Sequence, residues 1–416
     1  MPCCHTTPSL TRRAAIAGGA ALIAATHAGR GTLAGQQVAT PAVADPAAAI
    51  VDIAERAMTE MALRAVLLTV TLDGEELVTH AIGESLTGVP ATPDMHIRNG
   101  AVAITYVSTL LLTLVDDGTV RLDDTIDRWL PDLPDAGQVT LKMLANMTAG
   151  YPDFVPNPDF SAAVYRDPFH AWTADELIGF GLLQPRLFAP GENWDYSHTS
   201  YVILGRALEA ATGEPLDTLL RDRILDPIGV TQTAGEQSAW MPQPVLHAYS
   251  SERRQFLGIP PAAPFYEETT FWNPSWTLPP GAVQYSTIAD MAASFAAIGR
   301  GDLLSETSMR ELLSHELLGF GAPLEGCRSC HTMDEVYLYG LGVVQSGGWM
   351  LQNPLFGGYA SAAAYHPDAH IAIAVATTFT EAGYDDTGAY RFGKSGQAIV
   401  TRIGELLLPE DPPLMN

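Results

Sequence analysis

Three stretches of this 416-residue chain carry side chains of the types and spacings that chemistry needs. The first is Tyr196-Ser197-His198, where a phenol and an imidazole two positions apart can move a proton to or from a bound molecule. The second is Cys327-Arg328-Ser329-Cys330-His331, whose cysteines are spaced to close a short disulfide, hold a metal or attach a c-type haem. The third runs from Gly388 to Ser395, GAYRFGKS, and satisfies the phosphate-loop pattern letter for letter. The chain holds two lysines, Lys142 and Lys394, and three residues before them stand Val139 and Arg391, so it contains no S-x-x-K. It contains no G-x-S-x-G nucleophile elbow either.

Each motif is limited by its surroundings. A phosphate loop must leave a buried strand and open directly into a helix. Here the last apolar run ends near Phe379 and TEAGYDDT intervenes, so the match is set aside. A zinc site at Cys327 and Cys330 wants further ligands, and Asp334 is the one nearby carboxylate. A disulfide clipping a loop is the simplest reading, with metal and haem as its alternatives.

The elements that position these groups follow from periodicity. Residues 47–62 are amphipathic and read as a helix. Residues 64–72 and 75–82 read as strands joined by Asp73-Gly74, a strong hairpin signal. Residues 95–124 read as a buried helix, with Val102, Tyr106, Leu110 and Leu114 at helical spacing and Asp116-Asp117-Gly118 as its stop. Helical patterns continue into the 230s, broken by proline-rich loops at 151–158 and 184–190. Residues 240–282 are a proline- and tryptophan-rich excursion of the kind that builds lids and pocket walls. Ser286 or Thr287 with Asp290 makes a helix cap. Residues 337–379 read as consecutive strands, and Ala398, Ile399, Ile403 and Leu406 mark a terminal helix that packs on a sheet.

The succession of the buried helix, VRLDDTIDRWLPDLP and VTLKMLANMTAGYPDF resembles the serine β-lactamase and penicillin-binding protein family, in its class C β-lactamase, DD-carboxypeptidase and esterase branch. Pro190-Gly191, Tyr196-Ser197-His198, Thr212-Gly213 and Pro227-Ile228-Gly229 match that family in order and spacing, with His198 in place of its asparagine. The resemblance covers about residues 47–408 and implies an α/β (α+β) fold, an antiparallel sheet flanked by helices plus an inserted, mostly helical lobe. It implies a domain at 46–410, its sheet lobe from about 46–95 and 280–410 and its helical lobe from about 96–279, behind a signal and linker at 1–45. It also places Ala101 and Ile104 where the family carries its acylated serine and its lysine. Ala101 has no oxygen to attack with, and Ile104 cannot accept a proton. Gln352-Asn353-Pro354 stands where the family has Lys-Thr-Gly or His-x-Gly. The resemblance implies a pocket gathering Tyr196, His198, Asn99, Asn146 and Trp276, with Tyr196 in the position of a proton-shuttling tyrosine.

Charge bounds the partners. A formal net charge of −25 and a pI near 4.6 repel nucleic acid phosphates. TRRAAIAGGAALIAATHA resembles a twin-arginine export signal, and past it no apolar run is long enough to span a bilayer. Twin-arginine export carries folded chains, which opposes haem attachment to an unfolded one. The leading expectation is an exported, non-catalytic protein that binds a small-molecule or cell-wall ligand without a cofactor. The alternatives are a hydrolase or transferase centred on Tyr196 and His198, and a redox or haem protein working through Cys327 to His331.

Overall fold

The computed structural model describes residues 45–235 and 238–415. The twin-arginine stretch, with Cys3 and Cys4, lies outside the described residues. The first helix, Pro46–Glu60, opens on Asp45, whose side chain accepts from the Ala48 amide at 3.1 Å. Its proline sits in the first turn, where the missing N–H is no loss. Ile50, Ile53, Ala54 and Ala57 form the buried face.

Leu63–Leu72 and Glu75–Leu86 then form the hairpin, with Leu72 opposite Glu75. Asp73 and Gly74 both take positive φ, 53° and 83°, the turn whose twist matches that of paired strands. The hairpin joins a nine-stranded sheet built from distant parts of the chain. Leu63–Leu72 pairs antiparallel with Ile371–Phe379, which pairs in turn with Tyr359–His366, and the sheet continues through Trp349–Gln352 and Val344–Ser346 to Leu338–Tyr339. Helices Pro46–Glu60, Ile288–Arg300 and Ser395–Leu407 pack on these strands. The alanines of Tyr359–His366, YASAAAYH, leave room for Ile288–Arg300 and Ser395–Leu407 to pack on it, and every residue of that strand is buried.

The buried helix is shorter than its sequence pattern suggests. Ile97–Arg98 is a strand paired with Gln284–Ser286, and the helix is Val102–Asp116. Gly100, at φ +51°, breaks the helical path before it, and Gly118, at +80°, ends it. Residues 102–112 are all buried, so the helix is surrounded on every side rather than amphipathic. Its hydroxyls are satisfied inside the core: Thr105 donates to the Gly342 carbonyl at 2.7 Å, and Ser108 meets the Tyr201 hydroxyl at 2.7 Å. These bonds fix the helix, and hence Ala101 at its start, against both the sheet and its helical neighbour His198–Thr212. Thr287 proves to be the cap of Ile288–Arg300, accepting from the Asp290 amide.

Candidate functional site

Ala101 precedes the first turn of the buried helix, and Ile104 lies one turn further on. Both line a cavity of about 740 Å³. Gly100 lets Pro354 close on this helix start: a Cβ at Gly100 would sit 2.5 Å from the Pro354 Cβ. Where the resemblance expects a serine hydroxyl and a lysine amine, Ala101 and Ile104 give the lining only methyl and sec-butyl groups.

The opposite wall begins at the N-terminus of His198–Thr212. Ser197 donates to the Tyr151 carbonyl at 2.9 Å, and Thr199 donates to the Pro152 carbonyl at 2.6 Å. Between them, His198 Nδ1 lies 3.1 Å from both oxygens of Asp153. Three successive residues thus grip three successive residues of the preceding loop. With Asp153 accepting, Nδ1–H is the donor of this contact and the carboxylate fixes the orientation of the ring. The Tyr196 and His198 rings meet edge to face with centroids 5.2 Å apart. Burial, reinforced by Tyr337, Asp153 and Tyr201, holds the Tyr196 phenol well above its ordinary pKa. Tyr196 is therefore a neutral phenol at neutral pH, a poor nucleophile.

The loop closed by the Cys327–Cys330 disulfide forms a third wall. Arg328 and Ser329 line both the large cavity and a neighbouring one of about 490 Å³, while Cys330 and His331 face the first and Cys327 the second. The Tyr196 amide donates to Ser329 Oγ at 2.8 Å, and Ser329 Oγ donates to Asp195. Burial, with the charge of Asp153 as a smaller contribution, pushes the Asp195 carboxyl up to about 6 despite the Ser329 hydrogen bond. Both sulfurs are joined to each other, which leaves none for a thioether to haem. Asp195, Cys327 and Cys330 are the grouping of metal-type donors among the described residues, and the disulfide removes two of the three from coordination.

Lys394 completes the large cavity from the start of the terminal helix. Lys394, met in the sequence only as part of the phosphate-loop match that was set aside, reaches the cavity because the fold returns the chain end to the site. Trp194, Arg328 and His331 also line the cavity, and Asp153 backs it through His198. Arg328 and His331 belong to the Cys327–His331 stretch already singled out, whereas spacing had no signal for Trp194 or Asp153. Among the described residues, the cavity lining contains His198, His331, Arg328 and Lys394 but no carboxylate.

Four expected residues are placed elsewhere. Asn99 and Gln284 are locked together, side chain to side chain at 2.8 Å and side chain to backbone at 2.9 Å, away from the cavity lining. Asn146 accepts from the Thr148 hydroxyl at 2.8 Å and turns the chain after a short helix. Trp276 stacks on Phe356, which does line the cavity, so it buttresses the wall from behind. Gln352 donates to the Gly342 carbonyl at 2.8 Å, while its successors Asn353 and Pro354 reach the cavity. A polar side chain in this core satisfies the nearest backbone group first.

The beta-lactamase family model matches residues 50–395, well over half of the chain. The chain belongs to the beta-lactamase family. Among curated relatives, "Penicillin-binding protein 4" of Amycolatopsis lactamdurans is 34% identical over 174 residues, 40% of this chain and 43% of that protein. The D-alanyl-D-alanine-carboxypeptidase/endopeptidase AmpH of Escherichia coli is 30% identical over 172 residues, covering 39% and 43%. This member of the family thus spans less than half the length of those relatives in the matched regions. The beta-lactamase fold itself is seen in D-amino acid amidase from Ochrobactrum anthropi, with a TM-score of 0.72, 24% identity, and 88% of this chain and 99% of that one covered. D-stereospecific amidohydrolase from Streptomyces gives 0.71 and 23%, covering 87% and 99%. No described helix is long and apolar enough to cross a membrane.

Proposed function

We propose that this is an exported, non-catalytic member of the beta-lactamase family that binds a small anionic ligand in the cavity above Ala101. One observation carries the reading. The cavity is lined by Ala101 and Ile104, the positions where the resemblance expects the acylated serine and the lysine, and they supply neither nucleophile nor base. Its polar lining is basic in a chain of net charge −25, and Arg328 and Lys394 have no ion-pair partner among the described residues. Trp194 also lines the cavity, and its buried indole Nε1–H has no hydrogen-bond partner among the described residues. Leu278, Phe356 and Tyr337 suit an apolar body on the same ligand.

Benzylpenicillin, an anion with an aromatic side chain, is a suitable probe, read through the fluorescence of Trp194. The expected result is reversible, saturable binding that weakens roughly tenfold in Arg328→Ala or Lys394→Ala, the scale of one charge-assisted hydrogen bond. Binding unaffected by both substitutions contradicts the anionic reading.

A second reading rests on the His198–Asp153 contact at 3.1 Å. An imidazole oriented by a carboxylate can activate water for attack on an ester or amide. Under that reading the native protein hydrolyses an activated ester and His198→Ala does not.

A further inference from the structure

The Cys327–Cys330 disulfide has surroundings that a purely structural link does not need. The Cys330 amide N–H points at Cys327 Sγ at 3.0 Å, and Asp195 Oδ1 lies 3.2 Å from the same sulfur. In the disulfide that sulfur has no proton to share with the carboxyl. Once reduced, its S–H can donate to Asp195, and its thiolate can accept from the amide. A donor N–H on sulfur favours the thiolate, the reactive form. Asp195 is 6% exposed and has no cation partner among the described residues, an arrangement that burdens the fold unless the carboxyl has work to do. The carboxyl of Asp195 touches Cys327 Sγ and lies within 4.8 Å of Cys330 Sγ, so a small side-chain movement brings it to either sulfur. Cys327 is half-buried on the cavity of about 490 Å³, which admits a small thiol.

We propose that Cys327–Cys330 is a thiol–disulfide exchange centre for small-molecule or peptide thiols, with Asp195 as its proton donor and acceptor. An incoming thiolate attacks Cys327 Sγ and forms a mixed disulfide. The Cys327–Cys330 bond breaks, its electron pair leaves on Cys330 Sγ, and the Asp195 carboxyl delivers its proton there. A second thiolate attacks the outer sulfur of the mixed disulfide. The electron pair now leaves on Cys327 Sγ, held by the Cys330 amide until it is protonated. Two thiols are oxidised to one disulfide and the protein disulfide is reduced to two thiols. Transfer in the opposite direction reverses each step. The other charged side chains on this cavity are Asp153, which is bound to His198, and Arg328.

The test uses the folded chain with glutathione as reductant. Free thiols are trapped by alkylation and counted on the peptide containing Cys327 and Cys330, which keeps Cys3 and Cys4 out of the readout. Rates are expressed per glutathione thiolate between about pH 5 and 8. The native rate is expected to fall through about pH 6 as Asp195 loses its proton. Asp195→Asn should remove that inflection and slow the acid-side rate about tenfold or more. Ser329→Ala should move the inflection upward, because it removes the hydrogen bond that favours the carboxylate, and this decides the matter should Asp195→Asn fail to fold. A disulfide that glutathione does not reduce in the folded protein overturns the proposal. So do rates that are flat with pH and equal in the native protein and Ser329→Ala.

Discussion

Burial strips water from the Asp195 carboxyl, and the Ser329 hydroxyl returns only part of what is lost. Its pKa is raised from 3.8 to about 6, so between those values the folded protein holds the proton more tightly than the unfolded chain. The stability this provides is fully present below the unfolded value and is lost as pH rises through the folded one, at most about 3 kcal/mol. Asp195→Asn is expected to gain on the native protein as pH rises from about 4 to 7, measured as the difference in Tm. A constant difference across that range contradicts the assignment. Of the residues that could do chemistry, Tyr196, His198 and the two cysteines were legible from type and spacing. Asp153, Trp194 and Lys394 were not, because each reaches the site through loop or terminal packing that no periodicity records.

Among the elements, helix starts and stops decide where the site sits. Gly213 ends His198–Thr212 at φ +77° with open space around its missing Cβ. Gly213→Ala should therefore cost only the backbone conformation, about 1 kcal/mol in urea unfolding. Gly100 combines φ +51° with the Pro354 contact, so Gly100→Ala should cost roughly 2–4 kcal/mol and push the two walls of the cavity apart. Equal costs for the two substitutions would show that the Pro354 approach is not tight. The hairpin, the terminal strands and the helix caps were readable because turn residues and alternation are local signals. The start of the buried helix was not. Residues 95–101, MHIRNGA, are too short and mixed to show a boundary by periodicity, and pairing with Gln284–Ser286 makes Ile97–Arg98 a strand.

At the scale of the whole molecule, an acidic body of net charge −25 surrounds a cavity whose ionisable lining is basic. The body repels an anion at a distance and the cavity attracts it at contact. Added salt should therefore speed association of benzylpenicillin by screening the first effect, while weakening the final affinity through the second. Stopped-flow fluorescence separates the two, and association that slows with salt would contradict this arrangement. Under the proposed function the beta-lactamase scaffold persists here without acylation chemistry. Intact mass after incubation with benzylpenicillin and with an activated ester tests it most directly. No added mass is expected on the native protein. An adduct mapped to Tyr196 or His198 would show that the site acylates through a second nucleophile, and the non-catalytic reading would fall.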